Sequence, residues 1–184
     1  MAALTKTRMN VDEYLAWAEG RPGRYELYDG IVYARAPQRV IHAEIKLALH
    51  PALVAAIRER GLPCHVLPDG MTVRIDAATA YEPDASVYCG PELPPSALEV
   101  TNPIIVVEVL SPSTQRIDSG VKLPGYFRLP TIMHYLIADP DRPLVIHHAR
   151  AADDSILTRI LREGAMALNP PGIILSLADI YEGR

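Results

Sequence analysis

The chain has 184 residues, 49% hydrophobic and 22% charged, which is enough to enclose a well-filled core. No stretch approaches the ~18 consecutive apolar residues of a membrane span, and the opening MAALTKTRMN lacks the apolar centre of a secretory signal, so no membrane partner is expected. A net charge of -4 argues against coating nucleic acid by bulk positive charge, and two cysteines, Cys64 and Cys89, suggest neither a disulfide framework nor a paired-cysteine zinc site. A reducing, cytoplasmic setting is the expectation.

Along the chain, Asn10-Val11-Asp12-Glu13 has the form of a capping box and opens a helix that stops at Gly20. Two alternating segments, Arg24 to Tyr28 and Ile31 to Ala34, flank Asp29-Gly30 and predict a hairpin. From Arg39 to Arg60, apolar residues recur at helical spacing, with Pro51 placed to kink or split the helix. Strands are then expected at Cys64 to Val66, Met71 to Ile75, Pro83 to Tyr88 and Ile104 to Leu110, with Pro68-Asp69-Gly70 as a plain turn. Thr114 is placed to cap a helix reaching about Leu129, a poor helix because it contains Gly120, Pro124 and Gly125. Ile132 to Ala138, Leu144 to His148 and Ile156 to Leu161 read as strands, and Leu177 to Tyr181 as a short helix.

This order implies an α/β (α+β) class, with a central mixed sheet flanked by helices in a single domain. Residues 1–36 would supply the N-terminal helix and hairpin, 37–140 the core, and 141–184 a C-terminal hairpin and short helix.

The chemistry starts at Glu108, inside the apolar run Ile104-Ile105-Val106-Val107-Glu108-Val109-Leu110. A carboxylate in a strand buried on both faces costs several kcal/mol unless it is paired, protonated or bound to a metal. Alternation puts Asp84, Ser86 and Tyr88 on one face, so Asp84 and Glu108 meet if their strands are neighbours. Two such carboxylates suit Mg²⁺, or Mn²⁺, which takes oxygen ligands and keeps several waters. Asp118, Lys122 and Tyr126 fall at i, i+4 and i+8 on one helical stripe, where the lysine would orient a water or stabilise charge on a phosphate.

Taken together, YELYDG, His42 opening a helix, PDASVY, IIVVEVLSPST, the D-x-x-x-K-x-x-x-Y of residues 118 to 126, and HYLIADP resemble the Uma-two family of restriction-endonuclease-like proteins. The resemblance runs from about Asn10 to the C-terminus. It implies the PD-(D/E)xK nuclease fold, with Asp84 and Glu108 as the acidic metal-binding positions. Leu110 occupies the usual lysine position, so a lysine from the next helix would replace it, which maps to Lys122. Glu26 matches a further carboxylate in the first hairpin. One departure is His134-Tyr135-Leu136, where the family usually has Glu-Tyr-Trp.

Plainer accounts stand beside these. Glu108 could be a structural ion pair with Arg74 or Lys122, Asp84 a turn residue, and Asp118 a first-turn carboxylate favoured by the helix dipole. His42 reads as a satisfied, half-buried histidine and Glu26 as a cross-hairpin partner. His147 and His148 should point to opposite faces of their strand. The leading expectation is a metal-dependent endonuclease acting on DNA. The alternatives are a catalytically inactive nuclease fold used for binding or oligomerisation, and a hydrolase of small phosphorylated molecules. A homo-oligomer is expected from the apolar hairpin and C-terminal additions.

Overall fold

The computed structural model describes residues 2–5, 7–111 and 118–182, without the side chains of Ala2, Asp118 and Ser119. Helix α1 (Val11–Ala18) begins at the expected capping box: the Glu13 N–H donates to Asn10 Oδ1 and the Asn10 N–H donates to Glu13 Oε2, both at 2.9 Å. Strands β2 (Tyr25–Tyr28) and β3 (Ile31–Ala34) form the hairpin, and β1 (Ala2–Ala3) pairs with β3. Both Asp29 and Gly30 have positive φ, 47° and 77°, the turn geometry that matches strand twist.

Helix α2 (Val40–Glu59) continues through Pro51, against the expectation of a split. Pro51 removes the N–H that would bond the Leu47 carbonyl, but both residues are exposed and solvent can take its place. Strands β4 (Cys64–Pro68), β5 (Val73–Asp76), β6 (Thr79–Tyr81), β7 (Ala85–Cys89) and β8 (Pro103–Val109) follow. The turn after β4 does not close a hairpin. It passes the chain between sheets, because β4 pairs with β7 while β5 pairs with the short β6, which the sequence reading missed.

The expected helix cap Thr114 lies outside the described residues. The described part of that helix is a π-helical turn, Asp118–Lys122, followed by α3 (Leu123–Tyr126), rather than one helix to Leu129. Strands β9 (His134–Ala138), β10 (Val145–Arg150), β11 (Ile156–Leu161), β12 (Ala165–Leu168) and β13 (Ile173–Ser176) lead to α4 (Leu177–Tyr181).

The larger sheet runs β11-β10-β9-β8-β7-β4, with β8 central and parallel to β9, and its other pairs antiparallel. It is mixed, as the element order implied. On one face, Val87, Ile105, Val107 and Leu136 pack against Ile45, Leu49 and Leu53 of α2 and Leu168 and Leu175 of β12 and β13. On the other, Val106, Tyr135 and Ile137 pack against Val73 and Tyr81 of the second sheet (β1-β3-β2-β6-β5) and Tyr126 of α3. Glu108 is held in the middle layer between these two cores.

One exclusion from composition is corrected: Cys64 and Cys89 form a disulfide. They are direct partners in the β4–β7 register, with Cα atoms 3.9 Å apart, a proximity that the spacing of two cysteines does not reveal. The cysteine count therefore gives no support to a reducing location.

Candidate active site

The β7–β8 register pairs Ala85 with Val107, so Asp84 and Glu108 fall opposite each other one step further along. The Asp84 N–H donates to Val107 O at 2.9 Å, and its Oδ2 accepts from the Val109 N–H at 2.8 Å. Both carboxylates are buried, at 2% and 1% exposure. Lys122 comes from the π-helical turn, with Nζ 2.7 Å from Glu108 Oε1 and 2.8 Å from Glu26 Oε1. One turn on, the Tyr126 hydroxyl donates to the same Glu108 oxygen at 2.7 Å. The structure therefore brings together Asp84, Glu108, Lys122, Tyr126 and Glu26. Asp118 lies at the start of the π-helical turn, and its side chain is outside the described residues.

Gly125 weakened the expected helix, but the structure gives it a use. A Cβ there would meet Tyr81 Oη at 2.5 Å. Without one, α3 lies close against Tyr81, whose ring packs edge-on to Tyr126 at 5.2 Å. That close approach lets the π-helical turn and the short helix after it deliver Lys122 and Tyr126 to Glu108.

Five groups were not foreseen. Arg35, just after β3, has Nη2 3.0 Å from Asp84 Oδ1 and 3.9 Å from Glu108 Oε2, and its Nη1 donates to the Glu82 carbonyl. Arg24 Nε donates to Glu82 Oε1 at 2.5 Å. Lys46 on α2 lies 3.3 Å from Asp84 Oδ1 and pairs with Asp69. Asp69 was expected to be only a turn residue. It is one, but its carboxylate also pairs with Arg24 at 2.5 Å. Two of these had a readable signal: Glu82 shares the alternating face of Asp84, and Lys46 lies one helical turn from His42. Arg35 had none, because its role depends on where the hairpin packs.

His42 is buried, with Nε2 3.4 Å from Asp84 Oδ2 and no hydrogen-bond partner among the described residues. The imidazole faces the Asp84 carboxylate at the long end of hydrogen-bond range, and it is fully rather than half buried. Arg74 is not the partner of Glu108; it pairs with Glu99 and Asp12 on the surface.

Among the described residues, Glu26, Glu82, Asp84 and Glu108 face Arg24, Arg35, Lys46 and Lys122. Such matching is what makes four buried carboxylates tolerable. Burial alone would drive the Asp84 carboxyl up, yet His42, Arg35, Lys46 and the Val109 N–H more than offset it and hold it well below the usual carboxylate range. Burial likewise opposes the charge on Arg35, but Asp84, Glu26, Glu108 and Glu82 outweigh it and keep the guanidinium protonated. Burial raises Glu82, and burial together with neighbouring Glu108 raises the Tyr126 phenol, so Tyr126 stays a donor.

Among the described residues, no three His, Cys, Asp or Glu side chains cluster tightly enough to hold an ion alone. The donor chemistry nevertheless fits a hard divalent cation. Asp84 Oδ1 and Glu108 Oε2 both face Arg35 Nη2, at 3.0 and 3.9 Å, and two carboxylates with water suffice for Mg²⁺. An open cavity of about 650 Å³, whose lining includes Lys46, Leu47, His50, Pro51, Pro68 and Asp69, reaches Asp84 from outside.

The sequence profile described as "Uma2: Putative restriction endonuclease" matches residues 11–178. The chain belongs to this family. Two Synechocystis proteins are similar over nearly their whole length. The uncharacterized protein slr1290 is 28% identical, covering 96% of this chain and 93% of the relative, and the uncharacterized protein sll1609 is 26% identical, covering 90% and 94%. A crystal structure from Anabaena variabilis, described as a putative nuclease of DUF820, superposes with a TM-score of 0.70 at 15% identity, covering 94% of this chain and 97% of that one. Family and fold are thus those that the Uma-two resemblance implied.

Proposed function

We propose that this Uma2 chain is an Mg²⁺- or Mn²⁺-dependent endonuclease that hydrolyses phosphodiester bonds of DNA. The observation that carries this reading is the buried pair Asp84 and Glu108 on neighbouring strands, both facing Arg35 Nη2, with the Lys122 ammonium 2.7 Å from Glu108. Asp84 and Glu108 would hold the metal, whose contribution is to acidify a bound water and screen charge on a phosphate. Lys122, fixed by Glu26 and Glu108, holds a positive charge at the site and is placed to orient the attacking water. Tyr126 keeps Glu108 oriented through its hydrogen bond. The His42 imidazole, buried against Asp84, positions that carboxylate. Arg35 supplies the countercharge at the position a metal would take, so metal binding requires its displacement.

Supercoiled plasmid incubated with Mn²⁺ or Mg²⁺ tests the reading directly. Nicking by the wild type, lost in Asp84→Ala and Glu108→Ala, is the expected result; equal cleavage by all three proteins would overturn the site assignment. A second reading, a nuclease fold kept for binding alone, draws on the charge balance that Arg35 and Lys122 already provide. Calorimetry separates the two, because that reading expects no heat of Mg²⁺ or Mn²⁺ binding.

A further inference from the structure

Helix α2 carries two faces, and only one is explained by the fold. His42, Ile45, Leu49, Leu53, Ala56 and Ile57 are buried against the large sheet and the C-terminal hairpin. The outer face is also apolar: Val40 and Leu47 are each 75% exposed and Val54 is 40% exposed, with exposed Pro51 between them. By length and composition, α2 could cross a membrane, yet here it is a core helix with an uncovered apolar side.

The outer residues have a regular spacing. Val40, Glu44, Leu47, Pro51, Val54 and Arg58 follow one another at alternating intervals of four and three, the repeat that keeps one seam facing a partner helix. The seam is about 27 Å long at the α-helical rise. Its two charged members, Glu44 and Arg58, lie seven residues to either side of Pro51. Both are exposed, and neither side chain makes an ion pair or hydrogen bond among the described residues. Placed on the seam line itself, these charges argue against a lipid surface as the covering partner.

We propose that this face is the interface of a homodimer in which two α2 helices pack antiparallel about a two-fold axis near Pro51. In that arrangement Glu44 of one copy lies opposite Arg58 of the other, twice over by symmetry, while Leu47 and Val54 close the apolar seam. A parallel pair would set Glu44 against Glu44 and Arg58 against Arg58, and like charges at a seam select against it. The partner that this face specifies is therefore a second copy of the same chain. Leu47 and Pro51 also line the cavity that reaches Asp84, so the seam borders that opening, but the dimer itself does not depend on the nuclease reading.

Sedimentation velocity or light scattering between about 1 and 200 µM tests this, a range suited to an interface at the small end of specific ones. The wild type is expected to approach twice the 20.2 kDa chain mass. Leu47→Glu, at an exposed position that should not disturb folding, is expected to give a monomer with an unchanged circular dichroism spectrum. Glu44→Arg should weaken association by at least about tenfold, because it creates two like-charge contacts. The double variant Glu44→Arg/Arg58→Glu should restore association to near the wild-type level. A wild type that stays monomeric throughout would overturn the proposal, as would a Leu47→Glu protein that still dimerises. A double variant no better than Glu44→Arg alone would overturn the antiparallel arrangement.

Discussion

Two buried polar clusters ride on the same large sheet and solve the problem of burial in opposite ways. Around β7 and β8, four carboxylates face four cations, which hold Asp84 well below the usual carboxylate range despite its burial, and a cavity opens to Asp84. On β9 and β10, His134 and His147 meet through Nδ1 and Nε2 at 3.0 Å, and His134 Nε2 lies 2.9 Å from the Pro170 carbonyl. That carbonyl can only accept, so His134 Nε2 carries the proton, and its bare Nδ1 accepts from the His147 Nε2–H. Both rings are neutral. Burial lowers His134, and burial with neighbouring His134 and Arg159 lowers His147 to about 4. The first cluster keeps charge concentrated at an accessible point, and the second removes it. Burial of polar groups is thus not itself a sign of function; retained charge with access is the sign that matters.

The contrast can be broken in several places. The largest effect is expected at Lys122→Met, which leaves Glu26 and Glu108 buried without their shared ammonium and should cost roughly 3–5 kcal/mol in urea unfolding. His147→Gln in the neutral cluster should cost only about 1–2 kcal/mol at pH 7. Equal losses would mean that the two clusters are held by the same physics.

Next is Arg35→Gln. If Arg35 stands in for the metal, removing it should tighten Mn²⁺ binding by about tenfold or more, since a competing charge within 4 Å is lost. Weaker binding in a folded variant would instead make Arg35 a structural part of the site. Gly125→Ala should follow at about 1–3 kcal/mol, because the new methyl group collides with Tyr81 and pushes α3 away from Glu108. An unchanged melting temperature would show that α3 has room to move.

The smallest effect is a pH dependence. The His147 pKa is lower in the folded chain than its ordinary 6.5, so protons bind the unfolded chain preferentially. The stability that this neutral ring contributes is complete above about pH 6.5 and is lost as the pH falls toward 4. His147→Gln should flatten the loss of unfolding free energy across that window. A slope unchanged by the substitution would place the acid sensitivity elsewhere.

Much of the fold was legible in the chain. The capping box at Asn10, the Asp29-Gly30 hairpin and the central apolar run around Glu108 are local patterns, and local backbone chemistry sets them. The stripe of Lys122 and Tyr126 was readable for the same reason, since helical spacing keeps them on one side even through a π-helical turn. His147 and His148 do face opposite sides of β10, the latter stacked on Tyr135. What spacing could not supply was register and packing. The sheet change after β4, the Cys64–Cys89 bridge, the pairing of Asp69 with Lys46 and Arg24, and the arrival of Arg35 at Asp84 all join residues far apart in sequence.

By itself, the sequence determined most of the elements, the mixed sheet and the candidate pair Asp84 and Glu108, because period-2 and period-3.6 patterns and a misplaced charge are properties of neighbouring residues. Only the tertiary structure decided which cations compensate that pair and that α2 is left with an uncovered apolar seam. Those facts depend on how distant segments pack, and on Coulomb interactions and burial that act between groups brought together in space.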